Sequence, residues 1–186
     1  MGCYVEKARG AEVIEVRLVE EKDTAELLSL ELRNKEFFQL YTGSRDDHFY
    51  TLEGQRERTD RAITSAAEDT GYSFVILLDG HIIGIIMLSE VVRWNLQSCW
   101  IGYFLDKEQN GKGYMTEAVR QVVSIAFKEL EFHRLEAGVM PHNIGSIKVL
   151  LKAGFHKEGI AKQNVKINGK WQDHQTLAII NPRDLM

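Results

Sequence analysis

Apolar and polar residues alternate along several short segments of the chain, and this period of two is typical of half-buried β-strands. The first such segment is VIEVRLV at 13–19. Two apolar runs follow at 72–78 and 81–89, and the dipeptide Asp79-Gly80 joins them. Such dipeptides favour type I′ turns, because both central residues of that turn need positive φ. The pattern predicts an N-terminal strand and, later, a β-hairpin.

Four more strands are predicted in the second half of the chain. The segment 98–106 is apolar on both faces, so we expect it at the centre of a sheet. HRLEAGVM at 133–140 is the next predicted strand. The segments 155–167 and 170–180 flank Asn168-Gly169 and form a second predicted hairpin.

Two helices are predicted between the first strand and the first hairpin. Asp23 is placed to N-cap a helix that runs to about Phe38. A second, polar helix spans 52–69. The residues of the first helix expected in the core are Leu27, Leu28, Leu32 and Phe37.

Two further helices follow the segment 98–106. Apolar residues recur at helical spacing from Met115 to Leu130. Asn143 is the predicted N-cap of a helix that runs to Ala153, with Gly154 as its C′ residue. This order of elements predicts an α/β (α+β) layer architecture, a mixed and mostly antiparallel sheet flanked by helices.

Composition and charge narrow the class of protein. The 186 residues are 44% apolar and contain no linker-like stretch, so we expect one domain over 13–186 after a flexible segment at 1–12. The formal net charge of -4 argues against general binding to nucleic acid. No apolar run reaches the ~18 residues of a membrane span. Cys3 and Cys99 lack metal-ligand spacing, and we expect a reduced, cytoplasmic environment and no metal.

A glycine-containing loop precedes the third predicted helix. EQNGKGYMTEAV at 108–119 has Gly111 and Gly113 on either side of Lys112. A helix N-terminus leaves its first N–H groups without partners, and glycines let the preceding chain direct those groups at one anion. The stretch matches neither the P-loop nor the G-x-G-x-x-G pattern. A phosphate site and a solvated turn both stay open from these residues alone.

The wider stretch resembles the GNAT N-acetyltransferase superfamily. It reads IGYFLDKEQNGKGYMTEAVRQVVSIAFKEL and then HRLEAGVMPHNIGSIKVLLKAGFHKEG, with GKGY-x-TEA and P-x-N-x-x-S…K-x-GF patterns in the family's order. More narrowly, it is similar to the RimJ/RimL branch, which acetylates N-terminal amines of ribosomal proteins. The resemblance extends over about residues 13–180. It implies the GNAT fold, acetyl-CoA as co-substrate and direct transfer to an amine.

By this resemblance, the glycine loop holds the acetyl-CoA pyrophosphate. The family pattern Gln/Arg-x-x-Gly-x-Gly/Ala falls on Asn110, Gly113 and Met115, of which only the glycine matches. These departures weaken the match to the family motif. They do not weaken the implied phosphate site to the same extent, because its implied hydrogen-bond donors are main-chain amides. Lys112 is either a further phosphate contact or an exposed lysine. The implied contacts of this loop are Asn110, Gly111, Lys112, Gly113, Tyr114 and Met115.

The resemblance also implies a slot for the acetyl group and a proton donor. Main-chain groups of Tyr103, Phe104 and Leu105 are implied to pair with the pantetheine arm, beside a strand that splays away. Asn143 is implied to contact the same arm as well as to cap its helix. Ser146 is the implied acid for the leaving thiolate, because many relatives carry a tyrosine where this chain has Leu150.

The general base stays open at this point. Glu90 is the candidate by resemblance, and an exposed glutamate is the alternative. Tyr103 either lines the slot or packs in the core, and His142 is a further loop candidate. Cys99 has no His/Asp partner pattern for an acyl-enzyme. An α-amine with a pKa of about 7.7–8.0 needs only a weak base, whereas a lysine amine near about 10.4 needs a stronger one.

The acceptor is expected to be the N-terminal α-amine of a protein, by resemblance a ribosomal one. A polyamine or antibiotic amine is the alternative, and an acidic groove around 45–69 would favour it. Carboxylates and arginines are mixed there, which a solvated helix face also explains. A non-catalytic acyl-CoA sensor is the third hypothesis. Family members are often dimers, so a homodimer or a higher homo-oligomer is expected.

Overall fold

A single seven-stranded sheet organises the protein, whose structure is a computed structural model that describes residues 13–185. The predicted flexible segment 1–12 lies outside these residues. The strands are β1 (Ile14–Leu18), β2 (Tyr72–Leu78), β3 (His81–Val92), β4 (Ser98–Leu105), β5 (Arg134–Val139), β6 (His156–Ile167) and β7 (Lys170–Ile180). Their order is β1-β2-β3-β4-β5-β7-β6, and only the β4–β5 pair is parallel. The predicted mixed, mostly antiparallel sheet is confirmed, with β4 at its centre.

Helices cover both faces of this sheet. They are α1 (Thr24–Arg33), α2 (Lys35–Gln39), α3 (Leu52–Ala67), α4 (Tyr114–Lys128) and α5 (Ile144–Lys152), with short 3₁₀ turns at Glu21–Asp23, His48–Tyr50, Lys107–Gln109 and Pro182–Leu185. Neighbouring residues of β2 enter different cores. Ile76 packs in the cluster that contains α4 and α5, whereas Val75 packs in the cluster that contains α1. The period of two along a strand produces this two-sided burial.

Both predicted hairpin turns are present. Asp79 and Gly80 have φ of 49° and 83°, and Asn168 and Gly169 have φ of 49° and 79°. These values are those of a turn with two left-handed central residues, which Asx-Gly dipeptides tolerate. The turns set the register of β2 with β3 and of β6 with β7.

Asp23 occupies the N-cap position of α1, as predicted, but its side chain makes no hydrogen bond to the helix amides. Its Oδ2 instead lies 2.7 Å from Arg17 Nη1 and accepts from the backbone N–H of Glu20 at 2.8 Å. The ion pair with β1 engages the carboxylate that would otherwise face the helix amides.

The first helix also ends earlier than predicted. Asn34 has φ of -113° and separates α1 from α2, and its buried side chain donates to Leu30 O. Side chains that bond the backbone in this way compete with helix continuation. The break changes which residues reach the core: Leu27 is buried as predicted, whereas Leu32, also predicted in the core, is exposed.

Candidate active site

The centre of the sheet opens between β4 and β5. These strands pair only where Ser98–Trp100 faces Arg134–Glu136. The other edge of each strand stays paired, since β3 follows β4 to Leu105 and β7 follows β5 to Val139. The gap therefore has two rigid walls, and the backbone groups that face each other across it lack a strand partner. The splay that the family resemblance implied is present.

A loop rich in unpaired amides lies at the end of β4. Gly111 and Gly113 have φ of 80° and 90°, and α4 begins directly after them. Within the described chain, the backbone N–H groups of 111–116 donate to no protein acceptor. A Cβ built on either glycine meets nothing within 4 Å, so the space beside the loop is open. Unpaired amides at a helix N-terminus suit an anion.

Buried polar contacts hold the start of this loop against the end of α1. Arg33 Nε lies 2.5 Å from Asp106 Oδ2, and Asn34 Oδ1 accepts from the backbone N–H of Lys107 at 3.0 Å. Burial raises the pKa of Asp106, but the hydrogen bonds from Arg33 and from the N–H of Glu108 outweigh it, so the pKa lies below its ordinary value. The carboxylate is therefore charged at neutral pH and fixes the loop.

The larger cavity, about 590 Å³, connects the loop with the gap. Among the residues that the structure describes, no Asp or Glu lines this cavity, whereas Lys148 and Lys152 do. Lys112 does not line it; its Nζ donates to Gln109 Oε1 at 2.8 Å. The predicted cofactor-binding residues that line it are Tyr103, Phe104, Leu105, Asn110, Gly111, Gly113, Tyr114, Met115, Asn143 and Ser146.

Two hydroxyl groups meet across the cavity. Tyr103 Oη donates to Ser146 O at 3.1 Å and lies 2.8 Å from Ser146 Oγ. Burial raises the pKa of Tyr103, more than the hydrogen bond with Ser146 lowers it, so the phenol stays neutral. Asn143 fixes the other partner, since its Oδ1 accepts from the N–H of Ser146 at 3.2 Å and caps α5 as predicted. Leu150, one turn further along, is buried and offers no proton.

Comparison with known proteins decides the family. A family model described as the acetyltransferase (GNAT) domain matches residues 14–156. The chain belongs to the GNAT acetyltransferase family. The probable N-acetyltransferase YjcK of Bacillus subtilis is 54% identical to it over 173 residues, which are 92% of this chain and 96% of the relative. The predicted fold, family and enzyme class are confirmed: the protein is an acetyl-CoA-dependent N-acetyltransferase.

Two solved structures place this acetyltransferase near the RimJ branch. The ribosomal-protein-S5-alanine acetyltransferase of Vibrio fischeri has a TM-score of 0.88 and 32% identity, with 95% of this chain and 98% of that chain covered. RimJ of Mycobacterium smegmatis, in complex with a CoA-disulfide, has a TM-score of 0.88 and 28% identity over 94% of this chain and 84% of that chain.

A smaller cavity of about 150 Å³ continues the gap of the acetyltransferase. The residues that line both cavities are Tyr41, Tyr103, Phe104, Asn143 and Ser146. His174 of β7 lines the smaller one and is buried. The sequence pattern did not single out this histidine. The one indication in the sequence was that His174 is a polar residue within the alternating pattern of a predicted hairpin strand.

The predicted base Glu90 lies away from both cavities. It is exposed, has φ of 52° and sits where the β3–β4 register is irregular, between Ser89 and Val92. That end of β4 is the part still paired with β5, whereas the gap opens at the other end. His142 lines the larger cavity but is exposed.

Other candidate groups are also excluded from the cavities. Cys99 is buried in the core, and desolvation raises the pKa of its thiol to about 12. The carboxylates of α3 face solvent; Glu57, for example, pairs with His48 and Arg61. No acidic groove forms beside the gap from the residues that the structure describes.

Residues 13–185 contain neither a metal-binding cluster nor a membrane-spanning helix. No group of three or more His, Cys, Asp or Glu side chains is arranged to hold a metal ion. No helix in this range is long and apolar enough to cross a membrane.

Proposed function

We propose that this acetyltransferase transfers the acetyl group of acetyl-CoA directly to the N-terminal α-amine of a protein, with ribosomal proteins as the first candidates. The observation that carries the proposal is the continuous passage through the sheet. The two cavities share Tyr41, Tyr103, Phe104, Asn143 and Ser146. A donor on one side and an amine on the other would therefore meet beside Ser146.

The loop after β4 is the proposed binding site of the donor's pyrophosphate. The unpaired amides of 111–116 lie in a loop with open space beside its glycines. Each amide–phosphate hydrogen bond would contribute about 1.5–3 kcal/mol. Lys148 and Lys152 add positive charge at the edge of the same cavity. The free backbone groups of β4 beyond Trp100 then extend along the pantetheine arm, as an added strand would.

Ser146 is the proposed proton donor to the leaving sulfur, and Tyr103 positions it. The Ser146 hydroxyl gives its proton as the carbon–sulfur bond breaks, and the Tyr103 phenol holds that hydroxyl in place at 2.8 Å. The phenol remains protonated throughout, because its raised pKa opposes ionisation. Positioning of the two reactants in the gap supplies much of the rate gain.

The charge of the cavities favours an α-amine as acceptor. A polyamine would bring several positive charges, yet no carboxylate among the described residues lines either cavity. An α-amine, with a pKa of about 7.7–8.0, is partly neutral at physiological pH, whereas a lysine amine near about 10.4 is neutral far more rarely. The Vibrio fischeri relative is named for acetylation of an alanine of protein S5.

Release of CoA thiol across an acceptor panel tests this proposal. The panel contains peptides with Ser, Ala or Met N-termini, the same peptides with blocked N-termini and an internal lysine, and spermidine. Turnover only with free N-termini is expected. Turnover with spermidine or with the blocked lysine peptides would overturn the acceptor assignment. The predicted homodimer is a separate prediction, which light scattering of the purified protein checks.

A further inference from the structure

The titratable side chains around the smaller cavity are few. Its lining contains His174, Tyr41 and Tyr103, and no Asp, Glu or Lys of the described chain. Burial opposes ionisation of the Tyr103 phenol. Histidine is the side chain whose unperturbed pKa suits proton uptake near neutral pH. Among the described residues that line this cavity, His174 is therefore the side chain suited to remove a proton from an amine.

Gly138 of β5 leaves space beside the ring of His174. A Cβ built on Gly138 of β5 would lie 3.5 Å from His174 Cδ2 and 3.4 Å from Trp100 Cζ3. Gly138 thus leaves space between the imidazole and the indole, and both Gly138 and His174 line the smaller cavity. Within the described chain, His174 Nε2 is not among the fully buried side-chain atoms that lack a partner, so it borders accessible space.

The hydrogen bond on the other ring nitrogen selects the tautomer. His174 Nδ1 lies 3.3 Å from Gln172 O. A carbonyl oxygen only accepts, so Nδ1 carries the proton when the ring is neutral. The Nε2 atom then has a free lone pair, and no hydrogen-bond partner for it exists among residues 13–185. A ring nitrogen with a free lone pair beside a cavity is arranged as a base.

We propose that His174 Nε2 is the general base that removes a proton from the acceptor ammonium. The inference rests on the proposed function of the same site. An α-ammonium brings three N–H protons: the amide keeps one, the CoA sulfur receives one through Ser146, and His174 takes the third and releases it to solvent. The nitrogen lone pair freed by His174 forms the new bond to the thioester carbon, whose bond to sulfur breaks.

The charged residues near His174 form ion pairs with other residues. No unpaired carboxylate of the described chain therefore faces the smaller cavity. Asp173 precedes it in β7 and binds Lys162 of β6 at 2.7 Å. Glu136 of β5 binds Arg134 at 2.8 Å. Tyr41 and Tyr103 are the phenols on the same cavity.

Two substitutions of His174 test whether it acts as a base or only supports the structure. In His174→Asn, the Nδ2 amide replaces Nδ1 as donor to Gln172 O, but no basic nitrogen remains. His174→Gln places an amide near the Nε2 position and is equally unable to take a proton. His81→Asn is the matched control, because His81 is an exposed histidine at the β2–β3 turn. All are assayed with the best acceptor of the panel, from about pH 6 to 9, with CoA affinity measured by calorimetry.

We expect both His174 variants to lose about a hundredfold in kcat/KM near pH 6.5, the scale of general base catalysis, with unchanged CoA affinity. The loss should shrink to about tenfold near pH 9, where the α-amine with a pKa of about 8 is already neutral. A loss that is equal at all pH values, or no loss, overturns the assignment of His174. The acceptor panel with the wild-type protein tests the proposed function separately. The ratio of wild-type to variant kcat/KM can be measured with any acceptor that is acetylated, whichever acceptor that is.

The tautomer gives a readout independent of turnover. Nitrogen NMR of the CoA-bound protein should show the neutral His174 ring protonated on Nδ1. Protonation on Nε2 would overturn the proposal even if the enzyme acetylates none of the panel, because the lone pair would then point at Gln172 O.

Discussion

The phenol oxygen of Tyr103 lies 2.8 Å from Ser146 Oγ and thereby links β4 to the first turn of α5 across the gap. Removing the phenol hydroxyl in Tyr103→Phe frees the Ser146 side chain to rotate. Because the two hydroxyls act as a unit, we expect Ser146→Ala to lower kcat about a hundredfold and Tyr103→Phe about tenfold. The double variant should be little worse than Ser146→Ala. Steady-state kinetics with saturating acetyl-CoA measures this.

The control for this series is Tyr72→Phe, which removes another phenol hydrogen bond, to Asp69 at 2.6 Å, away from both cavities. Its kcat should match that of the wild type. Additive losses in Tyr103→Phe and Ser146→Ala would show that the two hydroxyls act separately.

Gly113 tests the anion site of the loop. Aspartate at this position brings a negative charge to the unpaired amides, so Gly113→Asp should weaken CoA binding at least about a hundredfold, or about 2.7 kcal/mol. Gly113→Ala has the same cost of a positive φ, about 1–2 kcal/mol, without the charge, and should weaken binding much less. Gly80→Asp, at φ of 83° in the β2–β3 turn, is the matched control and should leave affinity unchanged. Calorimetric titration with CoA decides; equal affinities of Gly113→Asp and wild type would disprove the site.

The buried thiol of Cys99 is expected to be inert. Desolvation raises its pKa to about 12, so almost no thiolate forms at pH 8. Iodoacetamide should leave the Cys99 peptide unmodified in the native protein, as read by mass spectrometry. Cys99→Ala should keep the wild-type kcat, and initial rates should show the intersecting pattern of direct transfer. An acetyl group trapped on Cys99 would contradict direct transfer.

Asp106 makes stability depend on pH in a defined direction. Its folded-state pKa is lowered, so its contribution is present above the unfolded pKa of about 3.9 and is lost as the pH falls through the folded value. Asp106→Asn should therefore lower the free energy of unfolding by about 1–2 kcal/mol at pH 7, and less as the pH approaches about 3. Urea denaturation of both proteins over this range measures the difference.

Asp173→Asn is the matched control for this prediction, which concerns the buried carboxylate of Asp106. Asp173 also has a lowered pKa, from hydrogen bonds with Lys162 and the N–H of Gln163, but it is an exposed pair on β6 and β7. Exposed ion pairs contribute little, so Asp173→Asn should leave stability nearly unchanged. An equal loss in Asp106→Asn at pH 7 and at about pH 3 would show that packing, and not charge, is responsible.

Local sequence patterns determined much of this fold. Period-two alternation located the strands, Asn168-Gly169 located a hairpin, and Asn143 located the start of α5. Each of these signals depends on residues close together in the chain, so it is independent of distant contacts. The glycine loop was visible for the same reason, since Gly111 and Gly113 lie directly before α4.

The tertiary structure alone decided which groups meet in the gap. Tyr103 and Ser146 are 43 residues apart, and Asp106 meets Arg33 over 73 residues. His174 and Gly138 come together because β7, not β6, lies beside β5. The order of strands in a sheet is set by packing of the whole chain, and the residue period along one strand carries no trace of it. For that reason the sequence determined the acetyltransferase class and the position of the loop proposed to bind the donor. Only the folded sheet brought His174 to the gap and left Glu90 outside it.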